Sequence, residues 1–437
     1  MATKGQKRIL GLTTALSLVV ANMVGTGLFT TTGFLIEDLQ HPLSVLFAWL
    51  AGGIVALCGA LTYAELGAAL PRSGGEYHYL SRLFHPMAGF LAGWISLIVG
   101  FSAPVAAVAI AFSSYLKSVL PELHVISLSL AIVTLFSALH IWNVKYGGKV
   151  QNIITALQVI LILLLLLGGT LATSEANKSL NLPAFEAKSI ISPAFATGLI
   201  LVMYAYSGWN AAAYLGGEIR NPAKNLPKAL IGGTFIVTLL YLAVNYFFLT
   251  AVPPGSIAGK VEVGHYVAEE IFGAEGGKII SIMIAIFLLS SLSSMIMAGP
   301  RVYQMIGEDY RLFRSLSRTS KGGAPYLAII LQMAIAMVLI ITFTFETILV
   351  YVGFTLSLFA GLTVTGIFIL RLKDLNTTTY KTWGYPFTPV IFLLIMGWMV
   401  VHTLIEKPEA SFAGIGTLLA GILIYYVSRK KEKRAET

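Results

Sequence analysis

The chain has 437 residues, of which 57% are hydrophobic and 11% charged, with a mean hydropathy of +0.81 and a formal net charge of +9. A soluble globular chain is about 45–50% apolar and about 25% charged, so this composition excludes a water-soluble fold, which has no means of burying so much apolar surface. The positive charge lies in short loops and a tail rather than in one basic patch, which argues against nucleic acid as a partner, and the lone Cys58, set inside an apolar run, excludes a disulfide framework.

A helix needs about 20 predominantly apolar residues to cross a bilayer. In chain order such runs lie at 10–36, 42–70, 86–116, 125–142, 151–171, 193–216, 228–250, 277–303, 325–344, 347–370, 388–404 and 411–428. The start, Met1-Ala2-Thr3-Lys4, leads straight into the first run with no small-residue cleavage site, so no cleavable signal peptide is expected. The runs lack the two-residue alternation of barrel strands, which predicts an all-α membrane protein of 12 transmembrane helices. Their connections are too short to fold alone, so 1–437 is read as one membrane domain. Assigning the connections alternately to two sides puts 23 of the 29 Lys and Arg on one side. Lys117, Lys178, Lys188, Lys260, Lys278 and Lys407 remain for the other. Basic residues gather on the cytoplasmic side, so both termini are expected in the cytoplasm, below an inner or plasma membrane. Residues 429–437 form a basic tail suited to anionic lipid. Residues 260–276 are expected to form a short extracellular surface helix.

Two runs are interrupted by glycine. The first reads SLVVANMVGTGLFTTTGFL, with Gly25-Thr26-Gly27 at its middle, and the sixth reads AFATGLILVMYAYSGWNAAAYLGGE, with Ser207-Gly208 at its middle. Glycine weakens a helix and permits close backbone approach, and either interruption alone also reads as a helix-packing notch. If the first ten helices form two groups of five, however, helices 1 and 6 occupy matching positions. Five is odd, so the second group is inverted. Breaks at matching positions of two halves point to a midplane site in secondary transporters. Unwound backbone offers N–H groups to an anion and carbonyls to a cation, as an amino acid requires.

Four segments then carry a family resemblance: MVGTGLF at 23–29, TYAELGAALPRSGGEYHYL at 62–80, VKYGGKVQNIITALQ at 144–158 and YSGWNAAAYLGGEIRNPAKNLPKAL at 206–230. The chain resembles the amino acid–polyamine–organocation family, in its amino-acid permease branches, from the first span to about the tenth. The resemblance implies the five-plus-five inverted-repeat, leucine-transporter-type fold, with repeats at 10–171 and 193–370 and two extra peripheral helices at 388–428. It implies secondary active transport or exchange of amino acids by alternating access. Gly25, Thr26 and Gly27 match the segment that receives the substrate carboxylate, and Met23 would line the pocket. Ala205 and Ser207 would offer carbonyls to the ammonium, and Tyr204 matches the aromatic that closes over the substrate. Relatives that carry diamines or polyamines have a carboxylate where this chain has Asn210. The middles of the first, third, sixth and eighth spans also hold no acid, so neutral L-amino acids are favoured. An amine, polyamine or cationic amino-acid antiporter is the alternative.

Some family members place a Lys midway along the fifth span, where it releases a proton. Aligning on VKYGGKVQN puts Gln158 there, which does not titrate. Ser290, Ser291, Ser293 and Ser294, with the carbonyls of Ala21 and Val24, offer an all-oxygen environment for sodium, although such serines as often bond their own helix or a neighbour. Sodium coupling, facilitation and exchange all stay open. Glu65, Glu76 and Glu218 lie near cytoplasmic helix ends, where the family keeps acids. They are inner-gate candidates, with Arg72, Arg220 or Lys149 as partners, or else solvated interfacial carboxylates. The prolines of Asn221-Pro222 and Asn225-Leu226-Pro227 mark the end of the sixth span and the start of the seventh. His140 reads as an interfacial residue. Zinc-protease, Walker and nucleophile-elbow motifs and Cys/His metal spacings are missing, so neither an enzyme nor a cofactor or metal is expected. The expected partners are a small-molecule amino acid and membrane lipid. The sequence names no partner subunit.

Overall fold

The computed structural model describes residues 8–142, 185–320, 323–374 and 379–436, together with residues 157, 160, 162, 163, 166 and 167. Among the described residues the regular structure is helical, and the one β-type pairing is an isolated bridge between Leu10 and Ile219. Nine helical stretches there are long and apolar enough to cross a membrane, and two shorter apolar helices, Pro193–Tyr206 and Tyr326–Thr342, accompany them. These coincide with all the predicted runs but the fifth, which lies largely outside the described residues, as do Gln158 and Lys149.

Some boundaries differ from the predicted ones for local reasons. The seventh span starts earlier, as Pro222–Ala251, with Asn221 as its N-cap in the left-handed region (φ 47°). Pro222 takes the first helical position, where its missing N–H is no loss, whereas Pro227 falls inside the helix rather than at its boundary. The eighth span extends back through the presumed surface helix as Val263–Asp309, bent at Gly273 (φ 75°). Val263, Val267 and Ala268 are fully buried, so that stretch is packed into the protein on one side rather than resting on its surface. The third span, Pro86–Lys117, carries a π-helical stretch at Ser96–Ser102.

Lipid supplies no hydrophobic drive between helices, so close packing and internal hydrogen bonds must join them. The outward faces remain apolar, with Phe235, Leu239, Ile341, Leu394 and Leu423 all more than half exposed. Inside, glycines let the Pro42–Ala69 helix approach its neighbours. A Cβ at Gly52 would lie 2.3 Å from Val202, and one at Gly53 2.4 Å from Thr238. Around that contact Trp49, Tyr206 and Tyr241 form a buried cluster, with Tyr241 edge-on to both rings at 5.0 Å. Several buried threonines bond carbonyls of their own helices, as Thr62 does that of Cys58 and Thr234 that of Leu230. Across helices, Thr32 bonds Asn245.

Candidate functional site

Two helices stop within the packed interior and restart. Leu12–Met23 ends at Val24, whose N–H still bonds the Val20 carbonyl at 2.9 Å while its ψ of 91° turns the chain away. After Gly25 the chain resumes as Thr26–Leu39. Pro193–Tyr206 ends at Ser207 (ψ 139°), Gly208 takes φ +100°, and a single short helix, Ala211–Tyr214, follows. Gly208 sits in the left-handed region that favours glycine.

The two breaks face each other. A Cβ on Gly27 would fall 2.5 Å from both Cα and Cβ of Ala205. One on Gly208 would fall 2.8 Å from the carbonyl oxygen of Asn22. Each break is therefore seated against the other through a glycine. Gly25 differs, because the nearest heavy atom to its added Cβ is the Met23 oxygen at 4.0 Å. A side chain there would make only ordinary van der Waals contact, and Gly25 leads into a helix that no side chain caps. The unpaired first-turn N–H groups and the positive end of the helix dipole thus lie at the gap.

Side chains from both breaks meet at their edge. The Thr26 and Tyr204 hydroxyls are 2.8 Å apart, and both residues are buried. Met23 and Ala205 are buried, while Ser207 and Asn210 are half-buried. Sequence reasoning missed Tyr241, from the Pro222–Ala251 helix. Its hydroxyl donates to the carbonyl of Ala205 at 2.9 Å and bonds that of Met23. One phenol therefore bridges the last turns of both broken helices. No local signal marks it, since tyrosines in membrane helices commonly lie at the interfaces.

The three acids separate. Glu65 is fully buried and forms a forked pair with Arg371, at 3.1 and 2.7 Å, and accepts from the Thr382 N–H at 2.6 Å. Arg371, which the sequence did not suggest, is thus a partner of Glu65, while Lys149 lies outside the described residues. Glu76 opens the helix Gly75–Leu83, outside the spans, and its Oε1 accepts from the Tyr63 hydroxyl at 2.6 Å and from Asn210 Nδ2 at 3.0 Å. Burial pushes its carboxyl up to about 7, against the lowering effect of those two bonds. Tyr63 also lies edge-on to Trp209 at 4.7 Å. Both Tyr63 and Glu76 belong to the 62–80 segment, yet nothing local pairs either with position 210. Glu218 is half-buried, and its carbonyl accepts from the N–H of Leu10 at 3.0 Å, tying the start of the described chain to the stretch after the second break.

The serine cluster spreads its bonds over two helices. Ser293 meets His140 Nε2 at 2.9 Å, and Ser294 donates to the Ser291 carbonyl at 2.9 Å. His140 therefore serves a helix contact. Ser290 is buried, Val24 is buried at the first break, and Ala21 lies half-buried one turn before Gly25. At the far end of Thr26–Leu39, Lys407 bonds Glu346 at 2.6 Å and lies 3.8 Å from Asp38.

Comparison with known proteins adds an independent line. The family described as amino acid permease matches residues 10–427. The serine/threonine exchanger SteT of Bacillus subtilis (strain 168) is 29% identical, over 98% of this chain and 98% of its own length. The mouse (Mus musculus) b(0,+)-type amino acid transporter 1 is 26% identical, over 98% of this chain and 89% of its own. The human (Homo sapiens) large neutral amino acids transporter small subunit 2 is 27% identical, over 96% of this chain and 80% of its own.

Proposed function

We propose that this chain, which belongs to the amino acid permease family and carries amino acids across a membrane, exchanges neutral L-amino acids by alternating access at the gap between its two broken helices. The observation that carries this reading is the uncapped N-terminus of Thr26–Leu39 at Gly25, where an added Cβ meets no atom closer than 4.0 Å, in a break packed against the one that ends at Ser207 and Gly208. A substrate carboxylate takes the N–H groups of Gly25, Thr26 and Gly27, where helix-end charge favours an anion. The ammonium takes carbonyls from Met23, Ala205 and Ser207. Tyr204, already bonded to Thr26, closes over the bound molecule. The names of the relatives support amino acids as the class, and the serine/threonine exchanger supports exchange of neutral ones.

The wider architecture belongs to the same reading: twelve spans, two inverted groups of five, two peripheral helices, and both termini in the cytoplasm. The first, second, sixth and seventh spans rock against the third, fourth, eighth and ninth, while the fifth and tenth act as gates. Glu65, Glu76 and Glu218 then belong to the inner side. The serine cluster and Gln158 keep their places as coupling candidates, although two of the serines already hold bonds to helix neighbours. One observation favours the alternative of a cationic substrate: the Glu76 carboxylate stands one hydrogen bond behind Asn210.

Reconstitution of the purified chain into liposomes tests both. Vesicles preloaded with unlabelled amino acid are expected to take up radiolabelled serine, threonine or leucine and to leave agmatine, putrescine and lysine outside. Uptake of the cationic set alone overturns the neutral assignment. No uptake of either set by the folded protein overturns the single-chain transport reading. Uptake that needs an imposed sodium gradient replaces exchange with sodium symport.

A further inference from the structure

Glu76 is an acid in an unusual setting. It is 6% exposed, and among the described residues no cation pairs with it within 4.0 Å. The groups packed around it are neutral in the ordinary pH range. The Pro42–Ala69 helix contributes Tyr63, its own helix contributes Tyr79, and the stretch after the second break contributes Asn210 and Tyr214. The charged groups nearby are exposed or engaged elsewhere. Arg72 and Arg82 are exposed to solvent, and their charge adds to burial, the main cause, in lowering His78 to about 4. Arg371 is committed to Glu65, Lys373 donates to the Leu83 carbonyl at 3.4 Å, and Asp309 accepts from Tyr77. Most buried carboxylates in proteins are paired, so this one stands out.

Its position is mechanical as well. The helix Gly75–Leu83 lies against the element that follows the break, with the Gly74 N–H bonding the Tyr214 carbonyl at 2.9 Å. A Cβ on Gly75 would meet the Tyr214 ring at 2.9 Å. The Glu76–Asn210 bond adds a side-chain tie between this helix and the bend itself. We propose that Glu76 is a proton-binding site that sets how firmly Gly75–Leu83 holds the bend at Asn210, so that proton occupancy governs the rate of transport.

The chemistry follows from the two donors. Both reach Oε1, so an incoming proton from water binds Oε2 and no other group has to lose one. In the charged state both bonds are charge-assisted and about twice as strong as neutral ones. In the protonated state Oε1 still accepts, but as a neutral oxygen, and the tie loosens. Burial favours the neutral form and places the transition near pH 7. The acid is protonated and the clamp loose below that pH, and charged and tight above it. This inference rests on the transport function proposed above, because the clamp is read out as a transport rate.

The test is the pH profile of exchange in proteoliposomes with equal pH on both sides, using radiolabelled serine or leucine, for the wild type and for E76Q. Between pH 6 and 8 a group titrating near 7 passes from about nine-tenths to about one-tenth protonated. The wild-type initial rate is expected to fall up to about tenfold over that interval. E76Q, whose amide oxygen accepts as the protonated acid does, is expected to give a flat profile. A flat wild-type profile overturns the proposal, and so does a wild-type-like slope in E76Q. Infrared difference spectra of the wild type between pH 6 and 8 supply an independent measurement if E76Q does not fold. Loss of a protonated-carboxyl stretch with a midpoint near pH 7 supports the proposal, and no such band overturns it. If the wild type carries no amino acid at all, the transport reading fails, while the infrared titration still decides whether Glu76 binds a proton.

Discussion

At the residue scale the informative groups are those that complete a backbone interrupted inside the membrane. Tyr241 is the plainest case. Where two helices end in the interior, carbonyls lose their intrahelical partners and water is scarce, so each unpaired group is costly. The Tyr241 hydroxyl serves the carbonyls of both Met23 and Ala205. Removing it with Tyr241→Phe takes away the one hydrogen that these two buried carbonyls share. The expected loss is about 1–3 kcal/mol, seen as a lower melting temperature in detergent. The substrate KM should rise as well, because the same carbonyls lie where the ammonium is proposed to bind. An unchanged KM and melting temperature would show that the bridge carries no weight. Glu76 belongs to this scale too, since its setting, with two neutral donors and, among the described residues, no paired cation, comes from packing rather than from its place in a motif.

At the element scale the glycines of the first break separate into two roles. Gly27 is a seat: a side chain there drives into the backbone and Cβ of Ala205, which no rotamer change relieves. Gly25 borders the gap. Gly27→Ala is therefore expected to reduce folded yield and thermal stability together with transport, since the two half-helices must separate. Gly25→Ala is expected to leave the melting temperature within a few degrees of wild type and to raise the substrate KM by occupying the gap. Size-exclusion profiles and thermal melts, read beside uptake, distinguish the two. Equal damage to stability by both substitutions would refute the division. From sequence the pair looked equivalent, because both lack a side chain and stand two residues apart. Only the position of Ala205, 178 residues further along the chain, makes one a contact and the other a border.

At the scale of the whole molecule, a buried ion pair joins the second span to the C-terminal helices. Glu65, in Pro42–Ala69, holds Arg371 at the end of Phe345–Leu372 and the N–H of Thr382 ahead of Phe387–Glu406. The guanidinium also stacks 3.7 Å from the centre of the Tyr385 ring. Arg371→Ala strands a fully buried carboxylate, with an expected loss of about 3–5 kcal/mol in thermal denaturation. Replacing both partners, Glu65→Gln with Arg371→Met, should recover most of that loss, because neither charge then remains. Failure of the double variant to recover would assign the loss to Arg371 packing on Tyr385 rather than to the uncompensated charge. The family match spans residues 10–427 and so takes in these C-terminal helices with the rest.

The sequence by itself determined the solvent, the helical class, the placement of most spans and the existence of both breaks. Hydropathy is a property of consecutive residues, and glycine acts on its own φ and ψ, so both are written locally. It also drew the three acids and Asn210 into view, because charge inside an apolar chain is conspicuous. Only the tertiary structure decided what those groups touch. Glu65 met Arg371, Glu76 met Asn210 and Tyr63, and Tyr241 reached two carbonyls on other helices. Each bond joins residues brought together by packing. Polar groups shut away from water bond to whatever the fold places within about 3 Å, and no periodicity along the chain records that distance.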